Sequence, residues 1–156
     1  FYPEHTAELI KMGLVDKYFV DVKAPPDDPA LYAKVVGVCE YDAVKAGPEE
    51  IVEKVTATVD IIAKSGTELE IRTTVIPGLI GNPEEISSIA RWVSKHLKGK
   101  DVPYVIQQGL PEHAMKESLR KVAAFDRNEM LKLAGHARKF WDNVWIRTKD
   151  QGNERV

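Results

Sequence analysis

The segment Lys17-Tyr18-Phe19-Val20-Asp21-Val22-Lys23-Ala24-Pro25-Pro26 decides how the rest of the chain is interpreted. Aromatic and β-branched residues alternate here with polar ones up to two prolines, which predicts a strand over 18–22 with Asp21 and Lys23 at its carboxyl end. Because side chains two residues apart on a strand share a face, Asp21 and Lys23 point the same way. The carboxyl ends of strands are where α/β proteins build ligand sites, so we expect a site here.

Strand and helix patterns alternate along the remainder of the chain. Further strands are predicted over 68–76, 103–108 and 144–148, and helices over 3–12, 30–36, from 48 to Gly66, from 82 to Gly99 and from Asp126 to about Trp141. Loops are expected over 38–47 and 109–125. This alternation predicts an α/β fold with about four parallel strands joined by right-handed helical crossovers. We expect a single domain over 1–148, followed by a frayed tail over 149–156.

The polar residues inside the strands distinguish two architectures. Glu70, Arg72 and Thr74 fall on one face of the second strand, and the apolar residues fall on the other. The first strand shows the same segregation, with Asp21 and Lys23 on its polar face. A doubly wound sheet covers both faces with helices and would hold such charges poorly. A barrel with a polar mouth can hold them, so we predict a partial (β/α) barrel whose remaining strands are missing.

Composition excludes several classes of protein. The chain has 156 residues, of which 44% are apolar, so it can bury one domain core. Its 22 basic and 24 acidic residues give a net charge of −2, which favours neither general nucleic-acid binding nor an anionic membrane. Its apolar runs are too short to span a bilayer and it shows no signal-peptide pattern, so we expect a cytoplasmic protein.

Two features concern what the chain lacks. The only cysteine, Cys39, has no partner for an internal disulfide and is expected to be a half-buried small hydrophobe. The first residue is Phe1 rather than Met, so we expect a fragment of a longer protein.

Four segments together are similar to a known family. They are Asp21-Val22-Lys23-Ala24-Pro25, the pair Tyr32 and Gly37, Ile71-Arg72-Thr73-Thr74-Val75-Ile76-Pro77-Gly78, and Tyr104-Val105-Ile106-Gln107-Gln108. In this order they resemble the C-terminal half of radical S-adenosylmethionine activating enzymes. The resemblance is to the glycyl-radical activases of pyruvate formate-lyase and anaerobic ribonucleotide reductase, including their archaeal relatives. An Asp-x-Lys followed one crossover later by Arg-x-x-Val-x-Pro-Gly is a fairly specific pattern.

The resemblance implies a fold, a reaction and partners. The fold would be the C-terminal portion of a partial (β/α)6 TIM-like barrel. The reaction would be reductive cleavage of S-adenosylmethionine at a 4Fe-4S cluster, an oxidoreductase activity that gives a deoxyadenosyl radical. That radical would abstract hydrogen from a glycine of a partner glycyl-radical enzyme or from another substrate, and flavodoxin or ferredoxin would supply the electron.

The resemblance also implies roles for individual residues. Lys23 would pair with the methionyl carboxylate of S-adenosylmethionine, and Arg72 would reach the same ligand. Asp21 would help to hold a monovalent cation nearby. Thr74 and Gln108 are further cofactor-binding candidates, and Gln107 lies beside them on the strand that approaches the adenosine.

The chain departs from the family at the cluster. The family's Cys-x-x-x-Cys-x-x-Cys loop is absent, and one cysteine cannot ligate a 4Fe-4S cluster. We expect that loop upstream of Phe1, and we expect the chain by itself to be inactive.

Other interpretations of the same residues stay open. Asp21 and Lys23 could be a structural ion pair, and Arg72 could simply bridge Glu70 or Asp21. Lys23 could instead form a Schiff base in an aldolase-like barrel, because a lysine at a strand end is a known type of nucleophile. The chain could also be a non-catalytic α/β interaction module, in which replacing Lys23 or Arg72 would change no ligand interaction.

Overall fold

A computed structural model describes residues 2–37, 47–114 and 116–156. All but the last residue of the loop predicted over 38–47, and Cys39 within it, lie outside the described residues. In the described part, one five-stranded sheet is formed by β1 Lys17–Asp21, β2 Glu68–Val75, β3 Tyr104–Gln108, β4 Val144–Thr148 and β5 Gly152–Arg155. The helices are α1 Pro3–Met12, α2 Pro29–Val36, α3 Pro48–Ser65, α4 Pro83–His96, the single turn α5 Glu117–Arg120 and α6 Arg127–Ala137.

The sheet has a sequential strand order. β1 to β4 lie side by side in chain order and each pairs with the next in parallel, while β5 pairs antiparallel with β4. Right-handed crossovers between strands that always advance in the same direction place the helices on one face of the sheet. A doubly wound sheet would instead reverse its strand order at a switch point. The observed order therefore agrees with barrel-type winding and with the four predicted parallel strands.

The two faces of the sheet differ as the strand patterns predicted. On the face that packs against the helices, the strand residues are buried: Val20, Val22, Leu69, Ile71, Thr73, Val75, Tyr104, Ile106, Val144 and Ile146. The apolar residues among them form one core cluster with the buried stripes of α3, α4 and α6. Alternate positions carry Asp21, Glu70, Arg72 and Thr74 on the opposite face, which we call the polar face.

Local capping explains why two of the helices begin where they do. Before α4, the side chain of Asn82 accepts a hydrogen bond from the backbone N–H of Glu85, whose carboxylate accepts one from the N–H of Asn82. Asp126 and Glu129 make the same reciprocal pair before α6. Each pair satisfies two backbone donors that would otherwise have no partner in the first turn.

Three predictions of local structure were wrong. The tail expected to be frayed forms β5, because Glu154 is held by Arg127 at 2.6 Å and the strand completes an antiparallel ladder with β4. Its Gly-Asn start has low strand propensity, so local sequence gives no hint of this pairing.

The loop predicted over 109–125 contains a 3-10 turn at Pro111–His113 and α5. α6 ends at Ala137 rather than near Trp141. The domain boundary placed at 148 stays a prediction.

Among the described residues, no helix is long and apolar enough to cross a membrane.

Candidate functional site

The polar face brings two cationic side chains to one carboxylate at the end of β1. Asp21 and Arg72 are direct register partners on neighbouring strands, and Arg72 Nε donates to Asp21 Oδ1 at 3.0 Å. Lys23 Nζ donates to the other oxygen, Oδ2, at 2.7 Å. The predicted proximity of Lys23 and Arg72 is thus found, on one side of the sheet. We call Asp21, Lys23 and Arg72 the carboxylate cluster.

The carboxylate cluster has one positive charge in excess and is only partly shielded from solvent. Relative exposures of the three side chains are 28% for Asp21, 36% for Lys23 and 26% for Arg72. An ammonium has three N–H donors and a guanidinium five, whereas Asp21 engages one from each. The remaining donors can bind a second carboxylate, which would also neutralise the cluster.

Tyr32 on α2 supports the backbone of this cluster from the opposite side of the sheet. Its fully buried hydroxyl accepts a hydrogen bond from the backbone N–H of Lys23 at 3.2 Å. Burial raises the pKa of Tyr32 to about 12, the negative charge of Asp21 adds to the increase, and the N–H of Lys23 partly opposes it. This bond anchors the chain just past the end of β1, where no strand ladder continues beyond Val22.

A second polar group lies along the same face. Glu70 is 7% exposed and forms ion pairs with Arg147 Nη2 at 3.1 Å and with Lys17 Nζ at 3.4 Å.

The exposed ring of Phe19 lies beside Arg72, whose guanidinium carbon is 5.0 Å from the ring centroid. The cation–π contact restricts where Arg72 can point.

The remaining predicted residues separate into two groups. Thr74 shares the polar face with Arg72, and its hydroxyl accepts from Gln107 Nε2 at 3.2 Å. Gln108 is in register with buried Val75, on the face that the helices cover. Its amide donates to the carbonyl of Phe125 at 2.7 Å and its oxygen accepts from the N–H of Lys149 at 2.7 Å. Gln108 therefore has a structural role on the other face, and the structure does not bring it into the carboxylate cluster.

Sequence reasoning missed Arg147 as a site residue. It lies on the polar face of β4, in register with Gln107 of β3, and bonds Gln107 Oε1 through Nη1 at 2.6 Å. The sequence did contain a signal for Arg147. It lies two residues after Trp145 on the predicted strand, and the same two-residue spacing placed Asp21 and Lys23 on one face. A single charged residue on a strand was too common a feature to single out.

Two grooves of the described structure lie apart from the carboxylate cluster. One groove of about 420 Å³ lies at the amino-terminal ends of the strands and includes Lys17, Thr67 and Lys100 in its lining. Another, of about 490 Å³, is formed around the turn at Pro77–Gly78 and Phe125. Neither includes Asp21, Lys23 or Arg72, so it is the converging charges, and not the shape of a cavity, that indicate a ligand site here.

Comparison with known proteins confirms the resemblance. The chain is 35% identical over 147 residues to a protein of Methanocaldococcus jannaschii named as a glycyl-radical enzyme activating enzyme, and the match covers 94% of the chain. The chain spans 55% of the length of that relative. A scan against models of protein families finds no match.

A solved structure shares the fold. It is a radical SAM methyltransferase from Sphaerobacter thermophilus, which matches over 95% of the chain and 38% of its own length with a TM-score of 0.66. The two sequences are 15% identical, so this likeness concerns the fold. It confirms the predicted α/β fold, which the chain shares with this part of the methyltransferase.

Proposed function

We propose that the chain is the S-adenosylmethionine-binding half of a radical SAM activating enzyme. The observation that supports this most is the convergence of Lys23 Nζ and Arg72 Nε on one carboxylate, at 2.7 and 3.0 Å. Arg72 lies on β2 and Lys23 follows the end of the neighbouring parallel strand β1, in a fold shared with a radical SAM methyltransferase. The named function of the relative from Methanocaldococcus jannaschii supports the activating-enzyme assignment.

The residues of the chain suit the methionyl end of this ligand. Its carboxylate would take the free donors of the Lys23 ammonium and the planar fork of Arg72. Asp21 would hold both cations in place before the ligand arrives, so that less side-chain entropy is lost on binding. When bound in a radical SAM enzyme, S-adenosylmethionine supplies the group that abstracts hydrogen, and the part of this chain is to bind and orient it.

The residues of the chain do not fit the 4Fe-4S cluster. Its sequence has a single cysteine, and the described residues contain no group of three side chains able to hold a metal. We therefore propose that a segment preceding Phe1 supplies the cluster ligands in the parent enzyme, and we assign no step at the cluster to residues of this chain. The monovalent cation expected at Asp21 stays a prediction. Both oxygens of that carboxylate accept hydrogen bonds from cationic groups in this structure, so a cation there would have to share them.

The partners follow from the same proposal. The parent enzyme would act on a glycyl-radical enzyme and receive an electron from a flavodoxin or ferredoxin. The Schiff-base alternative needs a lysine amine available to attack a carbonyl. Lys23 is instead ion-paired with Asp21 at 2.7 Å, which favours the binding of a carboxylate.

The test compares ligands with and without the carboxylate. Binding of S-adenosylmethionine and of its decarboxylated analogue would be measured by calorimetry with the unmodified chain, Lys23→Met and Arg72→Met. We expect each substitution to weaken binding of S-adenosylmethionine by about tenfold or more, the effect of losing one charge-assisted hydrogen bond. Binding of the analogue should be weaker in the unmodified chain and insensitive to either substitution.

The control is Lys54→Met, which removes another ion-paired lysine, bonded to Glu50 at 2.6 Å on the exposed surface of α3. It should bind like the unmodified chain. Equal binding of both ligands, or full affinity in Lys23→Met and Arg72→Met, would overturn the proposal and favour a non-catalytic interaction module.

A further inference from the structure

Arg147 joins four strands on the polar face through one guanidinium group. Its Nε donates to Asn153 Oδ1 on β5 at 2.5 Å, Nη1 to Gln107 Oε1 on β3 at 2.6 Å, and Nη2 to Glu70 Oε1 on β2 at 3.1 Å. Each of the three nitrogens therefore has a partner within the sheet. These bonds hold the guanidinium group of Arg147 in one position on the polar face.

These bonds dictate the orientation of the Gln107 amide. A guanidinium can only donate, so the oxygen of Gln107 must face Arg147. The amide nitrogen then faces Thr74 and donates to its hydroxyl oxygen at 3.2 Å. The reverse orientation would place two donors against each other at 2.6 Å, so the chemistry of Arg147 leaves one arrangement.

The Thr74 hydroxyl consequently has a proton to donate. Its oxygen accepts from Gln107, and among the described residues no acceptor for its own proton is found. Thr74 lies two residues beyond Arg72 on the same face, about 7 Å further along β2. A ligand whose carboxylate lies at Arg72 and Lys23 would extend past this hydroxyl.

We infer that Arg147 is a positioning residue that acts through Gln107 to present the Thr74 hydroxyl as a hydrogen-bond donor to the ligand. The inference depends on the proposed function, because the ligand is the one bound at the carboxylate cluster. In S-adenosylmethionine the ribose follows the methionyl chain, so a ribose oxygen is the acceptor that this donor would meet. Arg147 and Gln107 would favour a nucleoside over an apolar group at this position.

The test reverses the direction of the hydrogen bond between residue 107 and Thr74 while keeping the shape of the side chain at position 107. Gln107→Glu keeps an acceptor for Arg147 but replaces the amide donor with a second acceptor, so Thr74 must donate to residue 107 and not to the ligand. Affinity for S-adenosylmethionine should fall about five- to tenfold, which is the effect of losing one neutral hydrogen bond. Thr74→Val removes the same hydroxyl donor and should weaken binding by the same factor. Thr74→Ser retains the hydroxyl and should bind like the unmodified chain.

A double mutant separates positioning from a merely structural effect. If Gln107 acts through Thr74, Gln107→Glu should change affinity by less than about twofold in the Thr74→Val background. Arg147→Lys keeps a charge beside Glu70 and should shift the side-chain amide signals of Gln107 in a ¹H–¹⁵N spectrum. Unmoved amide signals would overturn the inference.

Two further outcomes distinguish this inference from the function on which it depends. If the unmodified chain binds S-adenosylmethionine and Gln107→Glu binds equally well, or if the two substitutions are additive, the inference is wrong and the proposed function stands. If the unmodified chain does not bind S-adenosylmethionine, the proposed function is wrong and this inference fails with it.

Discussion

Asp21 lies between Lys23 and Arg72 and accepts a hydrogen bond from each, while Arg72 is also its register partner across the β1–β2 ladder. A carboxylate in this position offsets the repulsion between two cations on one face of a sheet. The same geometry holds the cations where a second carboxylate can bind. Stability and ligand binding are therefore expected to depend on the same three residues.

Replacing Asp21 by Asn should destabilise the chain. The amide keeps the shape of the side chain but leaves Lys23 and Arg72 close together without a counter-charge. Because all three side chains are partly exposed, we expect the free energy of unfolding to fall by only about 1 to 2 kcal/mol, measured by urea denaturation. Glu117→Gln removes the carboxylate of a solvent-exposed pair with Lys121 and should produce no measurable change. Equal effects of the two substitutions would contradict this account.

The raised pKa of Tyr32 predicts a loss of stability at alkaline pH. Tyrosine ionises near pH 10 in the unfolded chain, whereas burial raises the pKa of Tyr32 to about 12 in the folded protein. The contribution is complete below pH 10 and is lost between pH 10 and 12, by about 2 to 3 kcal/mol.

Unfolding of the unmodified chain and of Tyr32→Phe would be compared between pH 9 and 11.5. The difference between their free energies of unfolding should narrow as pH rises. Burial also raises the pKa of Tyr104, but this contribution is common to both proteins and cancels in the difference. A difference that stays constant with pH would show that the Tyr32 hydroxyl ionises normally.

Two adjacent threonines should respond differently to the same substitution. Thr73 is fully buried on the apolar face, donates to the carbonyl of Val22 at 2.8 Å and accepts from the Tyr104 hydroxyl at 3.2 Å. Thr73→Val leaves both groups without this partner and should cost about 1 to 3 kcal/mol of unfolding free energy. Thr74→Val, on the half-buried polar face, should cost less than about 1 kcal/mol. If Thr74→Val proved the more destabilising, the assignment of the two faces would be wrong.

Two glycine-to-alanine substitutions should have opposite signs. A Cβ at Gly109 would lie 2.6 Å from the backbone oxygen of Val75 and 2.4 Å from Ile76 Cγ1, so Gly109→Ala should destabilise by about 2 kcal/mol or more. A Cβ at Gly135, inside α6, meets nothing within 4 Å. Gly135→Ala should therefore stabilise by about 0.5 to 1 kcal/mol, because alanine is the better helix former. Thermal unfolding of the two variants measures the sign of each change in stability. A Gly109→Ala variant as stable as the unmodified chain would show that Gly109 does not approach Val75 and Ile76 this closely.

Local patterns in the amino-acid sequence were enough to predict the parallel α/β fold and the segregation of charge to one face. The alternation of polar and apolar residues along β1 and β2 is a pattern within a few neighbouring residues. The same is true of the apolar stripes and the caps of α3, α4 and α6. Asp21, Lys23 and Arg72 could be placed on one face because the side-chain period of a strand is two residues.

Which of these residues are in contact depends on how the strands and helices pack together. Parallel register sets Asp21 opposite Arg72, and register depends on the packing of whole strands across long crossovers. The same packing places Gln108 on the helix-covered face, gives Arg147 its three partners, and orders Gly152–Arg155 as a strand through Arg127 and β4. These contacts join residues between 6 and 77 positions apart, or elements with weak local preference, so no local pattern could have specified them.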